Sequence, residues 1–444
     1  MSQKVICDPI HHYIYIDLAT EALILKLINS REIQRLRRIR QLGASFFTYP
    51  SAEHSRFGHA LGTFHLAKTA LEYLEKNSES KISKHDRLAV MAAALLHDVG
   101  HGPFSHVLEK KNGNSHEFWT EKLITSGKTE INYILKKYGS TLPEKVINIL
   151  FHPHKKYRVY NALLSSQIDM DRMDYLLRDS YFCGNNYGTF DYRWLFHTMR
   201  IGSIPSGRMT LEQPMWIEKA IWAIEDYIFA RYNMYWTVYY HCATRGYEEL
   251  LKTILKRAKD LSEENIPVEF VSDALEMFIT KDRISDDEYL SLDDSVLIMQ
   301  LNIWSHARDR VLRDLCQRFL SRKGLKWVDY REEKDEKIDI RAREDAQIRI
   351  AREMKKLHFD PKYYFLGSVS AAKAYDYYRV EKGADEQSAK TSIFILDKKN
   401  NPTEISARKE MQRLKAITGV SAIKKFYYVP EECRATVDRI LEKM

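Results

Sequence analysis

Long apolar runs are missing from this chain. The longest, "AVMAAALL" at residues 89–96, is far short of the roughly 20 residues needed to span a bilayer, so no membrane-spanning helix is expected. The opening residues "MSQKVICDPIHHY" lack a basic stretch followed by an apolar one. That argues against a secretory signal and for a cytoplasmic protein. Cysteine is scarce and shows no pairing pattern. Cys7, Cys183, Cys242, Cys316 and Cys433 are odd in number, scattered, and form no C-x-x-C. This excludes a cysteine zinc site and fits free thiols in a reducing compartment. Internal repeats and low-complexity segments are absent as well. The charge is not lopsided: a net +8 over 444 residues suits a solvated surface, and it would also steer a nucleoside triphosphate or a nucleic acid, the latter possible but not required.

What is present points to a globular protein with a substantial core, 44% hydrophobic and 29% charged. The length suggests two or three domains, or one large helical domain with an appendage. From about residue 17 to 270 the periodicity is mostly helical. Ser30 is placed to cap a helix over 31–42, in which Ile33, Leu36, Ile39 and Leu42 recur near one face. Further helices are predicted from Arg56 to about 76, over 86–98 with Asp86 as its cap, over 143–151 and over 163–184. The aromatic-rich stretch 218–261 reads as a long interrupted helix, followed by helical patterns over 287–305 and 309–324. After about 325 the character changes. Residues 362–369, 390–397 and 423–430 are β-branched and aromatic runs that read as strands. The expectation is a mainly α protein, with a helical core over 1–324 and a smaller α+β module over 325–444.

The chemistry concentrates in "LLHDVGHGPFSH", residues 95–106. His97 and Asp98 stand where an apolar helix ends, and burying two ionisable groups there is costly unless they pair or bind a cation. One reading is a hydrogen-bonded pair at a helix end, as suits His85-Asp86 in its polar surroundings. The other is a metal centre. Arg56, Phe57 and His59 in "HSRFGHALG", and Asp169, Asp171 and Asp174 in "IDMDRMDYLLRD", interrupt helices that otherwise match a core pattern. His59, His97, Asp98 and Asp171 would supply four ligands from three helices of a bundle. A mixed imidazole and carboxylate set suits one divalent transition ion: Mn, Fe, Zn, Ni or Co.

In that order, H…HD…D resembles the signature of the HD-domain metal-dependent phosphohydrolases. "RLRRIRQLG", "HSRFGHALGTFHLA", "LLHDVGHGPFSH", "HEFW" and "IDMDRMDYLLRD" together resemble the deoxynucleoside triphosphate triphosphohydrolases. That family includes the vertebrate dNTPase with a sterile-alpha-motif domain and its bacterial relatives. The resemblance covers roughly residues 1–270 and extends more loosely beyond. It implies an HD-domain helical bundle that cleaves a dNTP between the α-phosphorus and the 5′ oxygen, releasing deoxynucleoside and triphosphate, with Mg accompanying the substrate triphosphate. It implies His106 as general acid, His101 at the α-phosphate, and Glu109 acting with His116 beside the site. Arg56, Arg172, Arg231 and Tyr239 would hold the triphosphate. Tyr175 would pack against the sugar C2′ and exclude a ribose hydroxyl. Asp179 and Gln41 would engage the 3′-hydroxyl, and Leu42 would lie near the base. No residue is expected to read a base edge, so a broad dNTP range follows.

Gly58 follows Phe57 where many relatives carry Glu. Gln34 and Arg37 match positions that recognise an activating nucleotide in regulated members, but Asn29 stands where an acid is expected. A homodimer or homotetramer is implied. Two other readings stay open: a phosphodiesterase or nuclease acting on oligonucleotides or cyclic dinucleotides with the same centre, and a nucleotide-binding regulator without turnover. "FHPHKK" at 151–156 reads as a polar loop.

Overall fold

The computed structural model describes residues 3–78, 81–105, 107, 115–152, 157–206, 209–281, 284–328, 340–373, 392–417 and 421–442. Most of these are helical. A two-stranded hairpin opens the chain, β1 (Gln3–Asp8) antiparallel to β2 (His12–Asp17). α1 (Ala22–Ile28) and α2 (Arg31–Arg35) follow. The helix predicted over 31–42 stops early: a 3-10 turn covers Leu36–Arg38 and Ile39 is extended. Ile33, Leu36 and Ile39 are nonetheless all fully buried. Burial, rather than one continuous helix, accounts for their three-residue spacing. Ser30 precedes α2 but donates its hydroxyl to the Leu27 carbonyl at 2.7 Å instead of capping it.

Three helices form the centre. α3 (Arg56–Asn77) packs against α4 (Lys84–Leu96) and against α7 (Met170–Phe182). Between them in sequence lie α5 (His116–Thr125) and α6 (Leu142–Leu150). α4 is buried from Ala89 to Leu96, as its uniform apolarity requires. Its cap is Ser83, which accepts from the Asp86 amide at 3.0 Å, so Asp86 sits inside the first turn and pairs with Lys145 instead. The interrupted helix over 218–261 resolves into α8 (Ile221–Met234), a π-helical turn over Tyr235–Tyr239, and α9 (Cys242–Glu263).

A hairpin that the helical periodicity concealed, β3 (Met199–Ser206) and β4 (Met209–Ile217), lies between α7 and α8. β7 (Phe394–Leu396) pairs in parallel with β4, and β8 (Pro402–Glu404) completes that sheet. A second sheet sets β9 (Ser421–Val429) between β5 (Lys326–Val328) and β6 (Leu366–Lys373). The packing therefore crosses the expected division at 324/325. Ile393, Ile395 and Ile405 join the core of the HD helices, while the β5–β9–β6 residues share a core with α9 and with helix Arg310–Leu320.

Candidate active site

α7 carries the candidate site residues on one face because the other face is committed to the core. Asp169 caps it, accepting from the Arg172 amide at 2.7 Å. Met170, Met173 and Leu176 are buried in the interior. Helical spacing then sends Asp171, Tyr175 and Asp179 to a common side. α3 presents His59 opposite them. α4 ends at His97, whose ring Nδ1 donates to the Ala94 carbonyl at 2.8 Å.

The four side chains expected as ligands converge. His59 Nε2 lies 3.2 Å from His97 Nε2 and 3.0 Å from Asp171 Oδ1. His97 Nε2 lies 3.5 Å from both Asp98 Oδ1 and Asp171 Oδ1, and His59 Nε2 is 3.8 Å from Asp98 Oδ2. The outer nitrogens are anchored: His59 Nδ1 faces Asp174 Oδ2 at 2.8 Å and His97 Nδ1 the Ala94 carbonyl. This fixes both rings with Nε2 toward the cluster, the arrangement that metal-binding histidines share. Burial alone would lower the His59 pKa, but the hydrogen bonds and charges of Asp171 and Asp174 outweigh it and push it up to about 10. His97 is raised in the same sense by Asp98 and Asp171, against its burial. Burial alone would raise the Asp98 carboxyl, but His97, His101 and Arg56 outweigh it and hold it well below the usual carboxylate range. The cluster is thus rich in buried negative charge and pre-set Nε2 donors, which fits a divalent cation of borderline softness.

Behind the ligands is a layer to which the motif reading assigned no role. Asp174 is fully buried and accepts from His11 Nε2 at 2.7 Å and from Arg178 Nε at 2.8 Å. Arg178 Nη1 in turn donates to Asp8 at 2.8 Å. The turn of the N-terminal hairpin therefore clamps the carboxylate that orients His59. His11 lies far along the chain from the HD motif, with nothing in its spacing to join it to that motif; only "DPIHH" as a polar run in an otherwise β-like stretch hinted at it.

A second close group comprises Asp98, His101 and His116. His101 Nε2 is 3.2 Å from Asp98 Oδ1, but the His101 and His116 rings stack at 4.1 Å with an interplanar angle of 10°. Ring lone pairs lie in the ring plane, so parallel rings do not converge on one ion. Both rings line the cavity over the cluster. The loop carrying them is tightly held. Arg35 Nη1 donates to the His101 carbonyl at 2.9 Å, and the Tyr289 hydroxyl to that of Gly100 at 2.6 Å. Phe104 and Ser105 both adopt left-handed backbone, with φ of 51° and 53°, a conformation that non-glycine residues rarely take. Asp294 holds it by accepting from the Phe104 amide at 2.8 Å, and Arg56 Nε donates to Ser105 Oγ at 2.9 Å. His106 and Glu109 lie outside the described residues.

A cavity of about 410 Å³ opens over the cluster. Gln41, Leu42, Arg56, Asp98, His101, His116, Asp171, Tyr175, Asp179 and Tyr239 line it. Asp179 accepts from His54 Nε2 at 2.7 Å and from the Tyr239 hydroxyl at 2.8 Å. Gln41 Oε1 is a buried acceptor without a hydrogen-bond partner among the described residues. Arg56 pairs with Asp98. Arg172 and Arg231 are not on the lining: Arg172 Nε donates to the Ser166 carbonyl at 2.9 Å and Arg231 Nη2 to Gln167 Oε1 at 2.9 Å. Both guanidinium groups are drawn to the turn ahead of α7, where carbonyl and amide oxygens are within reach. Gln34 and Arg37 lie elsewhere. Gln34 Nε2 donates to the Ile28 carbonyl at 2.7 Å and its Oε1 accepts from Arg37 at 2.8 Å, while the Arg37 guanidinium stacks 3.6 Å over the Phe57 ring.

This fold and this cluster define an HD-domain phosphohydrolase, and the chain belongs to that family. The family profile described as "HD domain" matches residues 56–179, the segment that holds all four ligands. The chain is 34% identical to the uncharacterized protein YwfO of Bacillus subtilis over 97% of its own length and 93% of that protein. It is 27% identical to the human deoxynucleoside triphosphate triphosphohydrolase SAMHD1, over 74% of this chain and 54% of that one. Among solved structures, a phosphohydrolase from Bacteroides thetaiotaomicron superposes with a TM-score of 0.79 at 28% identity, covering 97% of this chain and 100% of the other. Among the described residues no helix is long and apolar enough to cross a membrane.

Proposed function

We propose that this protein hydrolyses deoxynucleoside triphosphates to the deoxynucleoside and inorganic triphosphate. The observation that carries this reading is the order of groups along α7. Asp171 stands in the metal cluster, Tyr175 one turn on, and Asp179 one turn further, all on the wall of one cavity. A helix advances about 6 Å over four residues, so a phosphate end and a sugar end lie within one nucleotide's length. The likeness to SAMHD1 supports the same substrate class.

His59, His97, Asp98 and Asp171 would hold the cation: Mn, Fe, Zn, Ni or Co. When bound, it supplies Lewis-acid polarisation of the phosphate and of the attacking water. The rest falls to side chains. Arg56, next to Asp98, meets the α-phosphate with His101 and His116, with Mg accompanying the other phosphates. Arg172 and Arg231 reach the triphosphate by leaving the 166–167 turn, with Tyr239 beside them. Asp179 accepts from the sugar 3′-hydroxyl, since a carboxylate has lone pairs to spare beyond its bonds to His54 and Tyr239. Gln41 joins it through its orphaned Oε1. The Tyr175 ring fills the space a 2′-hydroxyl would need, and Leu42 lies toward the base. His106 delivers a proton to the departing 5′ oxygen, with Glu109 and His116 beside it. The protein works in the cytoplasm as a homodimer or homotetramer, and Gln34 and Arg37 belong to a site for an activating nucleotide.

The test is product identification. The metal-loaded protein is incubated with each dNTP and rNTP, singly and mixed, and products are separated by chromatography. Triphosphate with deoxynucleoside is expected. Pyrophosphate with monophosphate, cleavage of oligonucleotides or cyclic dinucleotides instead of dNTPs, or tight nucleotide binding with no product under any of these ions overturns the proposal.

A further inference from the structure

The far wall of the cavity holds groups that the motif reading did not reach. The π-helical turn over Tyr235–Tyr239 closes with the Tyr240 amide donating to the Tyr235 carbonyl at 2.8 Å. That wide turn turns Tyr235, Tyr239 and Tyr240 onto the same cavity. The rings form a chain that starts at His59 of the cluster. His59 and Tyr175 centroids are 6.5 Å apart, Tyr175 and Tyr239 6.0 Å, Tyr239 and Tyr235 5.4 Å, Tyr235 and Tyr240 5.5 Å. Beyond Tyr240, in the first two turns of α9, stand Arg245 and Glu248, both on the cavity lining and paired with each other. Arg245 Nη2 also reaches Ser368 of β6 at 3.3 Å, while its Nε is a buried donor without a partner among the described residues.

We propose that Arg245 and Glu248 read the Watson–Crick edge of the base and make guanine the preferred base of the substrate. The assignment rests on the dNTP reading above: with the α-phosphate at the cation and the sugar at Tyr175 and Asp179, the base is at the end distal to the metal, between the Tyr240 ring and Leu42. A carboxylate there accepts hydrogen bonds and repels lone pairs. Guanine alone offers it two parallel donors, N1–H and the 2-amino group, with the O6 acceptor alongside for a guanidinium. Adenine turns its N1 lone pair, and cytosine its N3 lone pair, toward a carboxylate that holds their single amino group. Thymine offers one N–H flanked by two carbonyls. The pattern is the one by which Arg takes guanine O6 elsewhere, with mismatched lone pairs supplying the rejection. No base-reading group was expected from the sequence; Arg245 and Glu248 belong to none of the motifs that carried that reading. Only the π-turn brings their end of α9 onto the cavity.

Two measurements test this. Equilibrium binding of dGTP, dATP, dCTP and dTTP to the protein is compared for the unaltered chain and for Glu248→Gln and Arg245→Gln, alongside rates of triphosphate release and thermal unfolding as a check on folding. The unaltered protein should favour dGTP over the other three by about tenfold or more, the worth of one good bidentate contact. Glu248→Gln should bring the four substrates toward equality by weakening dGTP, with unfolding unchanged. Equal binding of all four by the unaltered protein, or a uniform loss in the variants, overturns the proposal. Absence of triphosphate from every dNTP would instead refute the hydrolytic reading, and the binding ratios would still decide the base assignment.

Discussion

Asp174 Oδ2 lies 2.8 Å from His59 Nδ1, and that contact decides which nitrogen of His59 faces the metal cluster. A carboxylate only accepts, so Nδ1 donates to Asp174, and Nε2 is the nitrogen turned toward Asp171, His97 and Asp98, where a bound cation would take the place of its proton. Asp174 itself is pinned by His11 and Arg178, the former from the N-terminal hairpin.

Replacing His11 by alanine should therefore weaken cation binding although His11 touches no ligand. Loss of such an outer partner costs about 10–100-fold in metal affinity. Competition with a chelator, followed by metal analysis, reads the effect. Unaltered affinity in a folded His11→Ala protein would remove the hairpin from the account.

Gly62 is packed under the same carboxylate. A Cβ there would come within 1.8 Å of Asp174 Oδ1 and 2.6 Å of Arg178 Nη2. Both partners are buried and bonded, so neither can yield. Gly62→Ala should destabilise the fold by about 1–3 kcal/mol or more, the cost of overpacking, and displace Asp174. Thermal unfolding and metal content should fall together. A variant with normal unfolding and normal metal would show that the helices separate more freely than their packing implies.

Asp171→Ala removes a ligand but leaves α7 its cap at Asp169 and its buried Met170, Met173 and Leu176. The variant should fold and lose both bound cation and hydrolysis. Chelation of the unaltered enzyme should have the same effect on activity, reversed by adding back a divalent ion. Persistence of cleavage and bound metal in Asp171→Ala would dismantle the centre.

Tyr175 is held by its neighbours, with the Tyr239 ring 6.0 Å away and edge-on. Tyr175→Ala should open space at the sugar C2′ and admit ribonucleotides. The ratio of dNTP to rNTP cleavage is the quantity to follow, and a ratio unmoved by the substitution would place sugar selection elsewhere.

Motifs whose chemistry is written in adjacent or helically spaced residues were legible early. His97-Asp98 after eight apolar residues, and Asp171, Tyr175 and Asp179 at intervals of four, announce a buried polar face because the polypeptide geometry between them is local. The strands expected over 362–369 and 423–430 were visible for the same reason, through β-branched and aromatic runs, and they overlap the observed strands Leu366–Lys373 and Ser421–Val429; the first run opens on the short helix Pro361–Tyr364 instead. The hairpin over 199–217 was not. Its inward face is served by Phe394 and Leu396 of a strand nearly two hundred residues away, so its own pattern shows neither an amphipathic helix nor a free-standing pair.

Residue order alone pointed to a group able to hold a cation, since bringing His59, His97, Asp98 and Asp171 together without one is electrostatically costly. Which side chains support that centre, and which groups form the cavity's distal end, were settled only by the chain's return on itself. His11 meets Asp174 across 163 residues, Arg172 and Arg231 turn to the 166–167 loop, and Arg245 and Glu248 reach the cavity through a widened helical turn. Contacts of that kind depend on how whole helices pack, and helix packing minimises buried voids over the entire core rather than obeying any short pattern.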